Sequence, residues 1–129
     1  MSFKQDYLFG LKKEDELLPI IKSFFDRDIQ KSTNKFERFD YSDDKYKYEL
    51  KSRQNEYNKY PTTLIPASKI CKGIIFLFNF TDGLYYIKYR KSKFNTFEKK
   101  MFVRNKRYDY DDLQQEYYYI PIDKLKKIN

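Results

Sequence analysis

The chain has 129 residues, 27 basic against 19 acidic side chains for a net charge of +8, and 14 Tyr with 12 Phe, so that 20% of it is aromatic. With no histidine, one cysteine and three glycines, it excludes histidine-based hydrolytic triads, zincin helices, internal disulfides, cysteine zinc knuckles, phosphate loops and dinucleotide fingerprints. An active site must then be built from carboxylates, Lys, Arg, Tyr and hydroxyls, and the positive balance points to a polyanionic partner.

The length suits one domain with a real core, and the aromatic content argues against disorder despite the high charge. Cys71, between Ile70 and Lys72, suits a small core residue more than a nucleophile. No run of about 18 apolar residues is present, so no membrane partner is expected. The opening Met-Ser-Phe-Lys-Gln-Asp lacks a signal-peptide hydrophobic region, so an intracellular, reducing setting is expected.

The first predicted element is a helix from Leu11 to Ile29. Its apolar face would carry Leu17, Leu18, Ile20, Ile21, Phe24 and Phe25, spaced for one side of a helix. Gly10 and the acidic Glu14-Asp15-Glu16 suit its beginning, where negative charge complements the dipole. Pro19 means that the helix either starts near Asp15 or kinks at the proline. Glu14 either looks into the cleft described next or simply serves as a favourable N-terminal charge.

Residues 36 to 53 read as a hairpin. Lys45-Tyr-Lys-Tyr-Glu49-Leu-Lys51 alternates strictly, placing Tyr46, Tyr48 and Leu50 on one face and Lys47, Glu49, Lys51 and Arg53 on the other. If the strand from Phe36 to Ser42 returns through a two-residue loop at Asp44-Lys45, Asp40 pairs with Glu49 and shares its face. Directly opposed Cβ atoms lie about 4.5 to 5.5 Å apart, near enough for both carboxylates to reach one ion. Mg2+, with Mn2+ as substitute, fits such a pair, because it takes one or two carboxylates together with phosphate oxygens and water. Lys51 would then sit beside the scissile phosphate, orienting water and offsetting developing charge. The competing reading is an ordinary solvated strand face, since Glu98-Lys99-Lys100 repeats the Glu-x-Lys pattern in a chain that is 36% charged. Only the first copy follows an acid-bearing strand at hairpin distance.

Pro61, Pro66 and Gly73 are helix punctuation and predict a short helix ending at Gly73. Ile74 to Phe80 is a nearly continuous apolar run, as for a strand buried on both faces, and Thr81-Asp82-Gly83 turns it into a partner from Leu84 to Tyr89. Further strands are predicted over Phe97 to Val103 and Tyr117 to Ile122, and a short terminal helix over Asp123 to Ile128. From Lys88 to Arg107 stand nine basic residues, Lys88, Arg90, Lys91, Lys93, Lys99, Lys100, Arg104, Lys106 and Arg107, against Glu98 alone. This tract is either a groove for the phosphate backbone or a solubilising face; Tyr86, Tyr89, Phe94 and Phe97 could stack on unpaired bases where they do not face the core. The expected fold class is α+β, a mixed sheet flanked by helices in the order α-β-β-α-β-β with C-terminal strands. A core over residues 10–90 would be followed by a basic extension over 91–129.

This succession of helix, acid-bearing strand, Glu-x-Lys strand, helix and buried strand, from Gly10 to Tyr89, resembles the PD-(D/E)xK nuclease superfamily, the restriction-endonuclease-like fold of many restriction enzymes and Holliday-junction resolvases. The resemblance implies that Asp40 is the first metal-binding acid, Glu49 the second and Lys51 the catalytic lysine. Gly10-x-x-x-Glu14 is similar to the glycine and first-helix glutamate that complete the metal site in many members. Glu49-Leu-Lys-Ser-Arg53, Tyr60-Pro-Thr-Thr-Leu-Ile-Pro-Ala-Ser-Lys69 and Phe78-Asn-Phe-Thr-Asp-Gly83 also resemble small uncharacterised members from large DNA viruses. No proline precedes Asp40, and the Gln-x-x-x-Tyr element of the recombination exonuclease branch is missing after Lys51, so processive end resection is not expected.

Three functions follow as expectations. The first is a Mg2+-dependent endonuclease acting on DNA, structure-selective or weakly sequence-selective: Asp40, Glu49 and Glu14 hold the metal, Lys51 assists the attacking water, and Arg53, Lys69 and the basic tract position the backbone. By analogy with resolvase-like members it would work as a homodimer. The second is a noncatalytic nucleic-acid-binding protein on a nuclease-like scaffold. The third is an assembly protein whose charge serves a protein partner.

Overall fold

The computed structural model describes residues 3–33, 38–103 and 114–129. Helix α1 spans Phe3–Phe25, starting well before the predicted Leu11, so Gly10 lies inside the helix rather than ahead of it. Pro19 is inside it too, on an exposed position, where the helical bond it deletes lies on the solvent side. The helix stops four residues short of Ile29 because Asp26 takes a left-handed φ of 53°, a conformation that closes helices. Among the described residues no helix is long and apolar enough to cross a membrane.

Strands β1 (Gln30–Lys31), β2 (Tyr41–Ser42) and β3 (Lys47–Ser52) follow as an antiparallel set. The predicted first strand of the hairpin is thus only two residues long, and Asp40 sits in the bend just before it. Beyond β3 comes the main departure from expectation. Instead of a helix, residues 62–66 form strand β4 (Thr62–Pro66), and only Ala67–Lys69 turn as a short 3-10 segment. Prolines bound this stretch, but Thr63 and Ile65 alternate inward, and that period of two wins once a partner strand is available.

Strand β5 (Ile74–Phe80) has the predicted limits and is buried on both faces except at Asn79. It pairs parallel with β3 and antiparallel with β6 (Gly83–Lys88). Gly73 opens it with a φ of +82°, a value that suits glycine alone. Helix α2 (Lys91–Phe94) leads to β7 (Glu98–Val103), and β8 (Gln114–Pro121) returns. The predicted terminal helix is replaced by a 3-10 turn over Ile122–Lys124 and strand β9 (Lys126–Lys127). Here hydrogen bonds to the free edge of β6 outweigh helical spacing.

The fold is therefore α+β, with two helices and two sheets among the described residues. One is mixed, in the order β1-β2-β3-β5-β6-β9, and the other is antiparallel, β4-β8-β7. Helix α1 covers one face of the mixed sheet, with Ile21 packed against Tyr41, Tyr48, Ile75, Leu77 and Leu84. The second sheet covers the other face, bringing Ile65 and Ile120 onto Phe76, Phe78, Phe80 and Ile87. Residues 91–129, expected as an extension, instead supply β9 to the first sheet and two strands to the second.

Candidate functional site

The β2–β3 turn is organised by one carboxylate, that of Asp43. Its Oδ1 accepts the amides of Lys45 and Tyr46 at 2.8 and 2.6 Å. Its Oδ2 accepts the Tyr48 hydroxyl at 2.6 Å and Arg27 Nε at 2.7 Å. With the Asp43 amide donating to Tyr46 O, the loop is held to Asp44-Lys45 and the register becomes Tyr41↔Tyr48 and Ser42↔Lys47. That is the predicted register, and it sets residue 40 opposite residue 49.

Asp40 is fastened at this spot by its own backbone and side chain. Its amide donates to Tyr48 O at 3.1 Å, and its Oδ2 accepts the Leu50 amide at 2.7 Å. Glu14 and Glu49 both act on this carboxyl; burial first, then the neighbouring Glu14, pushes Asp40 up to about 6, while the Leu50 amide opposes the rise. Glu49 is only 5% exposed; burial, then the charge of Asp40, pushes it upward, against the pull of Lys51 and Lys69. Those ammonium groups lie 3.6 and 3.2 Å from Glu49 Oε2.

Glu14 reaches the cluster because Tyr41 ties α1 down, its hydroxyl donating to Glu14 O at 2.7 Å. Glu16 instead pairs with Lys12 and Lys13 on the outer side of the helix. Lys31 on β1 lies 3.9 Å from Glu14 and 2.8 Å from Asp15. Among the described residues no three acidic, His or Cys side chains are already set to ligate one ion; Asp40 meets its two neighbours separately, and Lys69 lies against the oxygen of Glu49. The chemistry of these donors, though not their present arrangement, is that of a hard-cation site. Three carboxyls drawn together out of water repel one another when ionised, and only oxygens are on offer.

Lys69 comes from the 3-10 turn rather than a helix. Its Nζ donates to Arg38 O at 2.9 Å, the Arg38 guanidinium donates to Ser68 O, and Lys47, Lys69 and Arg38 surround the Phe39 ring. Lys31, ahead of the predicted hairpin, and Arg38, inside it, were not singled out from the sequence, because nothing marks them among the chain's 27 basic residues. Arg53, expected on the phosphate-gripping face, is half-buried instead. Its Nη2 donates to Leu64 O at 2.9 Å and its guanidinium lies over Phe78.

The expected basic tract divides. Arg90 and Lys93 join Lys88, Lys124 and Lys126 around a cleft of about 140 Å³ at the outer edge of the mixed sheet, with no acid in its lining. Burial first, then Lys126, Arg90 and Lys124, lower the Lys93 pKa. Lys124 and Lys126 were missed because they lie far along the chain, though the Lys-Leu-Lys-Lys run was visible. Lys91 is exposed on α2. Lys99 and Lys100 stand on β7, over the rings of Tyr118 and Tyr119, and Lys100 pairs with Glu98 at 2.7 Å. Arg104, Lys106 and Arg107 lie outside the described residues. The aromatic residues of the tract serve the interior: Phe94 and Phe97 are buried, Tyr89 packs on Phe94, and Tyr86 packs on Phe24 and Phe25. Against known protein families, curated proteins and solved structures alike, the chain finds no match.

Proposed function

We propose that the protein is a Mg2+-dependent nuclease that hydrolyses DNA phosphodiester bonds endonucleolytically, with weak sequence selectivity, on a PD-(D/E)xK-like scaffold. The observation that carries this reading is the position of Asp40 opposite the buried Glu49, with Glu14 acting on the same carboxyl and Lys51 and Lys69 ammonium groups at Glu49. Helix α1, the Asp40 to Glu49 hairpin and the buried strand β5 fit the order that the sequence resemblance implies. The crossover helix does not, and β4 with its 3-10 turn stands in its place.

Glu14, Asp40 and Glu49 would hold the ion. When bound it would acidify a water molecule and polarise a phosphoryl oxygen. Lys51 orients the attacking water and offsets charge on the phosphate. Lys69, poised between Glu49 and the Arg38 carbonyl, is a second ammonium that a phosphate would meet. The cleft of Lys88, Arg90, Lys93, Lys124 and Lys126 grips the backbone away from the reacting centre, giving salt-sensitive affinity without base choice. A homodimer remains part of the proposal and is read from mass in solution.

The test is strand scission on branched, nicked and linear DNA by purified protein. Cleavage should require Mg2+ or Mn2+ and disappear in Lys51→Ala. Scission that ignores metal, or survives in that variant, overturns the mechanism. Salt-sensitive binding with no scission at any metal concentration selects the noncatalytic reading, which the ion pairs already neutralising Glu49 favour.

A further inference from the structure

Just past the carboxylate site, β3 runs into a separate cavity of about 370 Å³ between the end of that strand, β4 and β8, lined by Arg53, Tyr57, Tyr60, Leu64, Phe80 and Tyr119 among others and by no acid. Its volume lies in the range of small-molecule sites, roughly 300 to 1,000 Å³. Its wall is rigid on one side. Tyr57 stacks face to face on Tyr85 at 4.1 Å, and its hydroxyl donates to Ile122 O at 2.7 Å. Tyr60 stands at 53% exposure.

Arg53 is the unusual member. A guanidinium carries five N–H donors, and one here goes to Leu64 O. Among the described residues no carboxylate pairs with it, and burial alone lowers its pKa. A half-buried cation without a counter-charge is costly, and a ligand offering acceptor atoms would relieve that cost.

We propose that this cavity takes one unstacked nucleobase of a nucleic-acid strand, with tyrosine rings on its faces and Arg53 on its carbonyl or ring-nitrogen edge. A base combines the flat π-face that tyrosines stack on with the acceptor edge that a guanidinium reads. Arg53 follows Lys51 by two residues on the same side of the strand, about 6.6 Å along it, so a base adjoining a phosphate at Lys51 falls at the cavity. That placement of the phosphate rests on the nuclease reading; occupancy of the cavity does not. The site would make the protein selective for gaps, bulges and single-stranded segments.

The experiment measures binding in EDTA, so that no cleavage is needed, using 2-aminopurine placed in a single-stranded oligonucleotide, in a one-nucleotide bulge and in a perfect duplex. The expected result is a fluorescence change with the first two probes and none with the duplex, and affinity for the unpaired probes falling about tenfold or more in Tyr60→Ala. Tyr60 is exposed, so its removal leaves the core intact; Arg53→Lys, which keeps the charge and loses the planar fork, should weaken the same probes. Unchanged affinity in both variants overturns the inference, as does adenosine monophosphate binding as tightly as the oligonucleotide. Unpaired-probe binding lost in Tyr60→Ala, by a protein that never cuts DNA, would sustain this site while removing the nuclease reading. Metal-dependent cutting with probe binding unchanged in Tyr60→Ala would do the reverse.

Discussion

Asp40 and Asp43 lie three residues apart on one arm of a hairpin, yet their carboxyls are in opposite states. Asp43 collects Arg27, the Tyr48 hydroxyl and two backbone amides, and despite its burial these hold it well below the usual carboxylate range. Asp40 collects one amide and two other acids, and burial with Glu14 pushes it up to about 6. A buried acid surrounded by donors fixes structure. A buried acid facing other acids is penalised when it ionises, and under the proposed function that is the penalty a divalent ion would relieve.

Cleavage separates the two residues most sharply. Asp40→Asn should lower metal-dependent scission about a hundredfold or more, while Asp43→Asn keeps activity per folded molecule; equal losses in a nicking assay would erase the contrast. Stability should separate them in the opposite sense. Asp43→Ala strands Arg27 and Tyr48 and should cost about 2 to 4 kcal/mol in urea unfolding. Asp40→Asn keeps an acceptor for the Leu50 amide and should cost little or raise stability at pH 8.

Metal binding gives the next largest effect. Mg2+ or Mn2+ in excess should raise the melting temperature of the wild-type protein at pH 8 by several degrees. It should leave Asp40→Asn unmoved and shift Asp43→Asn as it shifts the wild type. An identical shift in all three would place the ion elsewhere.

The pH profiles should run oppositely. Asp40 rises from its ordinary value of 3.8 to about 6 on folding, so the stability it contributes is full below pH 3.8 and is lost as pH climbs through 6. Wild type and Asp40→Asn should therefore converge in acid, with the variant ahead above pH 6 by about 1 to 3 kcal/mol. Asp43 is depressed, so its contribution is present above 3.8 and is lost as pH falls through its folded value. The Asp43→Asn deficit should be full at neutral pH and shrink in acid. Parallel profiles in denaturation series from pH 2 to 8 would refute the assignment.

The smallest effect compares the two Glu-x-Lys copies. Glu98 and Lys100 are closer together than Glu49 and Lys51, 2.7 against 3.6 Å, but both members of the β7 pair are more than half exposed. Lys100→Ala should leave both the urea-unfolding midpoint and the scission assay nearly untouched.

The hairpin register was legible because turn chemistry and strict alternation act over neighbouring residues, and β5 was legible because a run apolar except at Asn79 and ending at Thr81-Asp82 has few other uses. Residues 60–73 misled because Pro61, Pro66 and Gly73 punctuate a helix as well as a strand; β8, more than 40 residues away, decided between them by pairing with Thr62–Pro66. The burial of Arg53 was not legible for the same reason, since β4 supplies the carbonyl that holds it.

By itself the sequence determined the composition of any site, carboxylates and ammonium groups without histidine or thiol pairs, and the face that Asp40 and Glu49 share. Only the tertiary structure decided which acids are satisfied, that Glu14 rather than Glu16 joins them, and that Lys69 reaches Glu49 from a turn. Alternation and turn signals are local, whereas desolvation and charge pairing depend on which distant elements close over a residue.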